Sequence, residues 1–313
     1  MVRKPSRRQV DHPPRTGAQE FILDTDNTLK GPNLTVLKGT TTVEPIHIAN
    51  AIMEGAIQHR LELWTLLQNM RRYYDSLNCR QVQLSVRAWP RRSRVPLLCR
   101  IAYDALLVAT DRQKLRYTIT TPPAPGKEPP MVSNAAFVDD TNLFVPSNSN
   151  LERITDVSSE FFRIHGIEIN GKKTELLVTK PTHNGTITYG ESQIKPQDKI
   201  KASRILGVLF SADGKAKATT ELSRKETSTI CNILGRRKVT DKQCIFIINA
   251  VLIPRLLYRM STTIIPWQEV ERITAQYRKV VRQKLGLPSS TPNSILRHTR
   301  LYWLRDLKDA LAE

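Results

Sequence analysis

Apolar residues recur at helical spacing in several stretches of the chain, with short strand-like runs between them. From Pro45 onward, Ile46, Ala49, Ile52, Met53, Ala56 and Ile57 share one helical face. Leu63 to Leu67 is a short, mostly apolar run of the length of a buried strand. Pro96 to Thr110 returns to helical period on Leu97, Leu98, Ile101, Ala105, Leu107 and Val108. The segment TPPAPGKEPP, residues 121 to 130, breaks any regular element. Ala135 to Val138 and Leu143 to Val145 then flank Asp139-Asp140, which predicts a hairpin. Leu151, Ile154, Val157, Phe161 and Ile164 predict an amphipathic helix that Gly166 stops. Ile167 to Val178 reads as two short strands around the turn Asn170-Gly171. A polar stretch with room for a small hairpin fills 181 to 202. Ile205 to Phe210 is one more apolar strand, followed by a turn at Asp213-Gly214.

Beyond that point the pattern is helical. Thr240-Asp241-Lys242-Gln243 is a capping-box sequence before an apolar run. Pro254 is expected to end or kink the helix that follows. Pro266 opens another, striped by Val270, Ile273, Tyr277, Val280 and Val281 and closed by Gly286. A last helix starts near Pro292, with Thr291 as its N-cap. The predicted class is α+β to about residue 210 and all-α after it, with no internal repeat.

Charge sharpens this picture. The 313 residues carry 48 Lys+Arg against 29 Asp+Glu, a formal net charge of +19. Residues 201 to 313 hold 21 of the basic and 9 of the acidic residues, so the helical third holds most of the excess. A polyanion is the expected partner, nucleic acid before an acidic membrane surface. Cys79, Cys99, Cys231 and Cys244 are far apart, without a C-x-x-C pair. A disulfide scaffold and a zinc site are therefore not expected, and the reducing interior of a cell is. The apolar run Cys244 to Ile253 contains Asn249, ends at Pro254 and is short for a membrane span. The start, MVRKPSRRQV, is basic and lacks the apolar region of a secretory signal.

The sharpest candidate for chemistry is AAFVDDTNLFV, residues 135 to 145. Two adjacent carboxylates at a hairpin tip can present hard oxygen ligands to Mg²⁺. Aspartate is equally a favoured turn residue, and the motif alone does not decide between the two. Its surroundings resemble a known family, the reverse transcriptases of LINE-type (non-LTR) retrotransposons. FVDD is similar to that family's [YF]-x-D-D box. EFFRIHGIEINGKKTELLV resembles the helix, turn and lysine-bearing strand after it, and SRILGVLFS the hairpin that grips the primer end. KVTDKQCIFIINAVLIPRLLYRM and WQEVERITAQYRKVVRQKLGLPSSTPNSIL resemble the thumb. LKGPNLTVLKGTTTVEPIHIANAIMEGA and LELWTLLQNMRRYYDSL resemble the fingers and the start of the palm. The boxes stand in the family's order over most of residues 21 to 313.

The resemblance implies a right-hand polymerase fragment: a basic tail (1–20), a fingers remnant (21–62), a palm-like core (63–210) and a basic helical thumb and connection region (211–313). It implies RNA-directed DNA polymerisation by two-metal nucleotidyl transfer, using an RNA template, a DNA primer, deoxynucleoside triphosphates and Mg²⁺ or Mn²⁺. Asp139 matches the metal ligand of the box and Asp140 its neighbour. Lys173 matches the lysine that serves the pyrophosphate, and Tyr74 the aromatic that crowds a ribose 2′-hydroxyl. Leu206 and Gly207 match the primer-grip turn.

Three departures accompany the resemblance. The first metal-binding aspartate of the family is Asn69 here, in NMRRYYD. The Gln-Gly of the next box is absent before PLLCRIAYDALL. Only 20 residues separate Asp75 from Pro96, where the family spends a longer helix-and-strand block, so a deletion is expected near 78–95. Neither an endonuclease region before the polymerase boxes nor zinc-knuckle cysteines after them are read in the chain. The resemblance with these departures implies a reverse transcriptase of weak or no activity, or else a nucleic-acid-binding remnant without chemistry.

Overall fold

The computed structural model describes residues 41–71, 95–120, 128–137, 140–180, 185–260 and 262–312. The tail, much of the fingers stretch, the 78–95 region, Tyr74 and Asp139 lie outside the described residues.

The centre is a four-stranded antiparallel sheet in the order β5-β6-β1-β8. Its strands are β1 (Trp64–Gln68), β5 (Asn134–Phe137), β6 (Asp140–Val145) and β8 (Glu175–Val178). Every residue of β1 is buried. Both faces of the sheet are covered, so its strands read as continuous apolar runs and not as alternation. Leu66, Leu143, Val145, Leu176 and Val178 face one layer, built from α2 (Val95–Arg112) and α3 (Asn148–His165) through Tyr103, Leu106, Leu151, Ile154 and Phe162. Leu67, Phe144 and Leu177 face the other, where α1 (Val43–Gln58) packs Ile46, Ala49, Ile52, Met53 and Ala56.

Small ladders surround this sheet. β2 (Met70–Arg71) pairs with β7 (Glu168–Ile169), and β3 (Tyr117–Thr118) with β4 (Met131–Val132), bracketing the proline-rich loop. β9 (Ile187–Tyr189) and β10 (Ser192–Ile194) form the small hairpin inside the polar stretch. The single strand read over Ile205 to Phe210 is in fact a hairpin, β11 (Ala202–Ile205) with β12 (Val208–Ser211). Leu206 and Gly207 turn the chain at φ 46° and 95°. Positive φ at both central residues is the geometry a tight two-residue hairpin demands, and apolar period alone does not reveal it.

The helical region follows: α4 (Lys217–Arg236), α5 (Asp241–Ile247), a π-turn (Ile248–Leu252), α6 (Ile253–Met260), α7 (Trp267–Leu285), α8 (Asn293–Arg297) and α9 (Leu307–Ala312). They share one core that includes Cys244, Ile248, Leu252, Leu256, Ile273 and Tyr277. The capping box forms as predicted, Thr240 accepting from the Gln243 N–H and Gln243 accepting from the Thr240 N–H.

Three helix expectations are corrected. Pro254, expected to end or kink its helix, does not end it; a π-turn precedes it instead. The Ile253 N–H reaches back five residues to the Ile248 carbonyl, and this wide turn accommodates the proline's missing donor and bulky ring. Asp241–Met260 is consequently a continuous helical run, long and apolar enough by composition to cross a bilayer; its inner face fills the helical core. In α3, Ile164 is exposed. The buried stripe is Leu151, Ile154, Thr155, Ser158 and Phe162, because Thr155 and Ser158 bond back to the Leu151 and Ile154 carbonyls and can be buried. Pro292, not Thr291, is the N-cap of α8.

Candidate active site

Strand direction collects the candidate residues. β1 ends, and both β6 and β8 begin, at the same end of the sheet. The last pair of β1 with β6 is Gln68↔Thr141, so Asn69, which follows it, and Asp140, which precedes it, lie at the same end of the sheet. On the other flank β1 pairs with β8 through Leu67↔Glu175. Beyond that pair, the Asn69 N–H donates to the Thr174 hydroxyl (3.3 Å) and the Asn69 carbonyl accepts from the Asn170 N–H (2.9 Å). The turn Asn170–Thr174 is thereby fastened to Asn69, and it carries Lys173 exposed to solvent. Gly171 holds this turn close to β10, since a Cβ there would stand 2.0 Å from the Ser192 hydroxyl.

Asn69, Asp140 and Lys173 thus share one rim. Asp140 is exposed and Asn69 half-buried. The hairpin forms as predicted, but Phe137↔Asp140 is its closing pair, so Asp140 opens strand β6 and does not sit in the turn. Asp139 and Tyr74 lie outside the described residues.

Behind the rim lies a buried polar network that sequence reading missed. The Gln68 amide donates to the Tyr103 hydroxyl (3.1 Å) and accepts from the Tyr189 hydroxyl (2.7 Å). The Tyr103 hydroxyl also lies 2.6 Å from that of Thr141. Burial pushes the Tyr189 hydroxyl well above its ordinary pKa, helped by the nearby Tyr103. The network ties the last residue of β1 to the second residue of β6, each adjacent to a rim residue. Its only signal in sequence was a glutamine closing an apolar strand.

The second candidate feature is the Leu206-Gly207 turn. Tyr258 of α6 donates its hydroxyl to the Leu206 carbonyl (2.7 Å) and lies 3.0 Å from the Thr42 hydroxyl ahead of α1. Arg259, on the same helix, is paired with Glu226, and its pKa is lowered by burial and by the nearby Arg204. The β11–β12 hairpin, α1 and the helical region therefore meet at this turn, beside a concentration of arginine.

Among the described residues no group of three or more His, Cys, Asp or Glu gathers as metal ligands. The rim offers the Asp140 carboxylate and an amide at Asn69. Hard oxygens suit Mg²⁺ or Mn²⁺ in kind, but this set falls short in charge for a pair of divalent ions.

An antiparallel sheet with helices on both faces, a rim bearing Asp140 and Lys173, and a following helical region accord with the order of boxes read in the sequence. The chain is a relative of LINE-type (non-LTR) retrotransposon reverse transcriptases. Over 166 residues it is 24% identical to the retrovirus-related Pol polyprotein from type-2 retrotransposable element R2DM of Drosophila melanogaster. That match takes in 50% of this chain and 15% of the polyprotein. Telomerase from Candida albicans, solved with a fragment of telomeric RNA, is similar at a TM-score of 0.41 and 10% identity, over 89% of this chain and 48% of that one. No protein-family model matches the chain.

Proposed function

We propose that this chain is a reverse-transcriptase core of a non-LTR retrotransposon, laid out as a right-hand polymerase fragment, that binds an RNA–DNA primer–template and polymerises weakly or not at all. The reading is supported by the register that brings Asn69 and Asp140 to the same end of the sheet. At the position where the family resemblance puts a metal-binding carboxylate, the rim carries a neutral amide.

Asp139 and Asp140 would be the metal-holding pair, for one Mg²⁺ or Mn²⁺ in place of two. When bound, such an ion supplies charge neutralisation to a triphosphate. Lys173 stands on the neighbouring turn, where an ammonium can meet the pyrophosphate charge. Tyr74 would border the deoxynucleotide. The Leu206-Gly207 turn, with Arg204 and the arginines of α6 around it, would hold the primer end. The basic helices 211–313 would lie on the duplex phosphates as a thumb, and the setting would be intracellular.

Primer extension on poly(rA)/oligo(dT) with Mg²⁺ or Mn²⁺ tests this reading. Duplex binding that weakens steeply with salt, with little or no synthesis, is the expected result. Robust synthesis abolished by Asp139→Ala would overturn the weak-activity half. Absence of duplex binding would overturn the whole.

A further inference from the structure

The helical region carries an aromatic surface that the sheet-edge reading does not use. A hollow of about 580 Å³ is walled by Ile245, Phe246 and Asn249 on one side and Leu301, Trp303 and Arg305 on the other. A second, of about 610 Å³, shares Phe246 and Lys242 with the first and continues to Val239 and Ile247. Phe246 stands between them and is 68% exposed; Trp303 is 64% exposed. Exposed aromatic rings that adjoin in one patch, unlike scattered single ones, point to a partner.

The display of Trp303 is built. Its φ of 51° is a left-handed backbone that a bulky residue adopts only when its surroundings impose it. Asn249 imposes it here. Its amide donates to the Trp303 carbonyl (2.7 Å) and its oxygen accepts from the Arg305 N–H (3.0 Å). One buttressing side chain, at the π-turn, thus fixes the loop on both sides of Leu304.

Position and charge point to the ligand. Phe246 precedes Tyr258 by twelve residues of one helical run. That is roughly 18 Å along the axis at the rise of a helix, so the hollows lie away from the primer-grip turn. Their borders are basic: Lys242 and Arg305 line them, and the exposed Arg236-Arg237-Lys238 leads into Val239. Asp241 is the one acidic residue lining either hollow. Flat aromatic faces alternating with cations match unpaired bases on a phosphate backbone, whereas a duplex keeps its base faces stacked inside.

We infer that Phe246 and Trp303 form a stacking platform for single-stranded nucleic acid, with Lys242 and Arg305 on its phosphates and Asn249 as the positioning residue. This rests on the proposed function only for the polynucleotide class of ligand. A polymer is favoured over a small molecule because Phe246 divides two adjoining hollows, which suits successive bases on either side.

The test is fluorescence anisotropy of the full chain with oligo(rU), oligo(dT) and a blunt RNA–DNA duplex. Phe246→Ala and Trp303→Ala should each weaken single-strand binding about tenfold, in ribo or deoxy form, and leave duplex binding unchanged. Trp303→Phe, which keeps a ring, should retain most of the affinity. Asn249→Ala should weaken single strands with no ring removed. Photocrosslinking of 5-iodouracil oligonucleotides to the unmodified protein gives a readout independent of any variant's folding; adducts on Phe246 or Trp303 are expected. Single-strand binding insensitive to both alanine changes, loss in Trp303→Phe as large as in Trp303→Ala, or adducts confined to other regions would each overturn the inference. Loss of duplex binding alone would count against the proposed function and leave the platform standing.

Discussion

The hydroxyl of Tyr258, on the helical region, donates a 2.7 Å hydrogen bond to the main-chain carbonyl of Leu206, in the turn of the β11–β12 hairpin. Leu206 holds a left-handed backbone, and Gly207 after it leaves only 3.3 Å between a Cβ and the Tyr258 ring. The bond therefore captures a turn that has few alternatives. Tyr258→Phe should lower stability by about 1–2 kcal/mol, since the hydroxyl also meets that of Thr42. Gly207→Ala should cost more, because it combines a φ of 95° with that close approach. Urea denaturation of both variants checks the order. A Gly207→Ala variant as stable as the parent would show that the turn is not constrained as described.

Asn69→Asp would place a second carboxylate at the end of the sheet that carries Asp140. Without metal, two like charges at the ends of adjacent strands should repel and lower the melting temperature. With Mn²⁺ the sign should reverse, since added ligand charge tightens a hard-cation site. Calorimetry should show Mn²⁺ binding strengthened by about tenfold or more over the parent, a gain of the size charge count gives at such sites. Equal metal affinity in the two proteins would mean that Asn69 and Asp140 do not point at a common ion. If affinity rises and primer extension stays absent, the amide at Asn69 is not what limits synthesis, and the deletion expected near 78–95 is the defect to test next.

How much of this was legible in sequence depended on whether the cause was local. The run Leu63 to Leu67 announced β1, Thr240 and Gln243 announced their cap, and Gly166 its helix stop, because propensity and capping act within a few residues. Asn69 drew notice through the family resemblance, which implies a metal-binding aspartate at its position. Its place at the same end of the sheet as Asp140 was not legible, because strand register is a long-range property. Gln68 escaped notice because its partners Tyr103 and Tyr189 lie far along the chain and touch it only after α2 and β9 dock. Pro254 misled for the opposite reason. The local rule is sound, but a π-turn supported by the helical core removes the conflict that the rule describes. Phe246 and Trp303 showed no pattern, since only the fold decides which apolar side chains stay outside.

The buried tyrosines set an alkaline limit on stability. Burial raises the hydroxyl pKa of Tyr277 to about 12 and that of Tyr189 well above its ordinary value of 10.0. Burial likewise pushes the Cys231 thiol to about 11. A folded-state pKa raised above the unfolded one contributes stability that is whole below the unfolded value and is lost as pH climbs through the folded one. Urea midpoints should therefore hold steady up to roughly pH 9 and fall between about 9 and 12, the thiol first and the phenols after it. Absorbance at the phenolate band should show some tyrosines ionising only together with loss of far-ultraviolet circular dichroism. Full reversible ionisation of all tyrosines in a folded chain would contradict the burial of Tyr189 and Tyr277.

The chain's end is held by charge inside the helical core. Arg278 is 4% exposed and pairs with Asp306, whose side chain is 1% exposed, and Asp306 also meets Arg297 at 2.5 Å. Glu271 closes the other side of Arg278 at 2.6 Å. Removing Asp306 would leave a guanidinium without its main counter-charge where water cannot replace it. Asp306→Ala should therefore cost about 3–5 kcal/mol, more than any exposed ion pair in the protein. Arg163→Ala, which breaks the exposed pair with Glu160, should cost under about 1 kcal/mol. The Asp306 change should also loosen the loop that presents Trp303, because Arg305 and Asp306 anchor its far end. Its fingerprint is then a large loss of stability together with weakened single-strand binding, read by urea melts and anisotropy on the same preparation. A loss of stability under about 1 kcal/mol would show that the buried pair is dispensable.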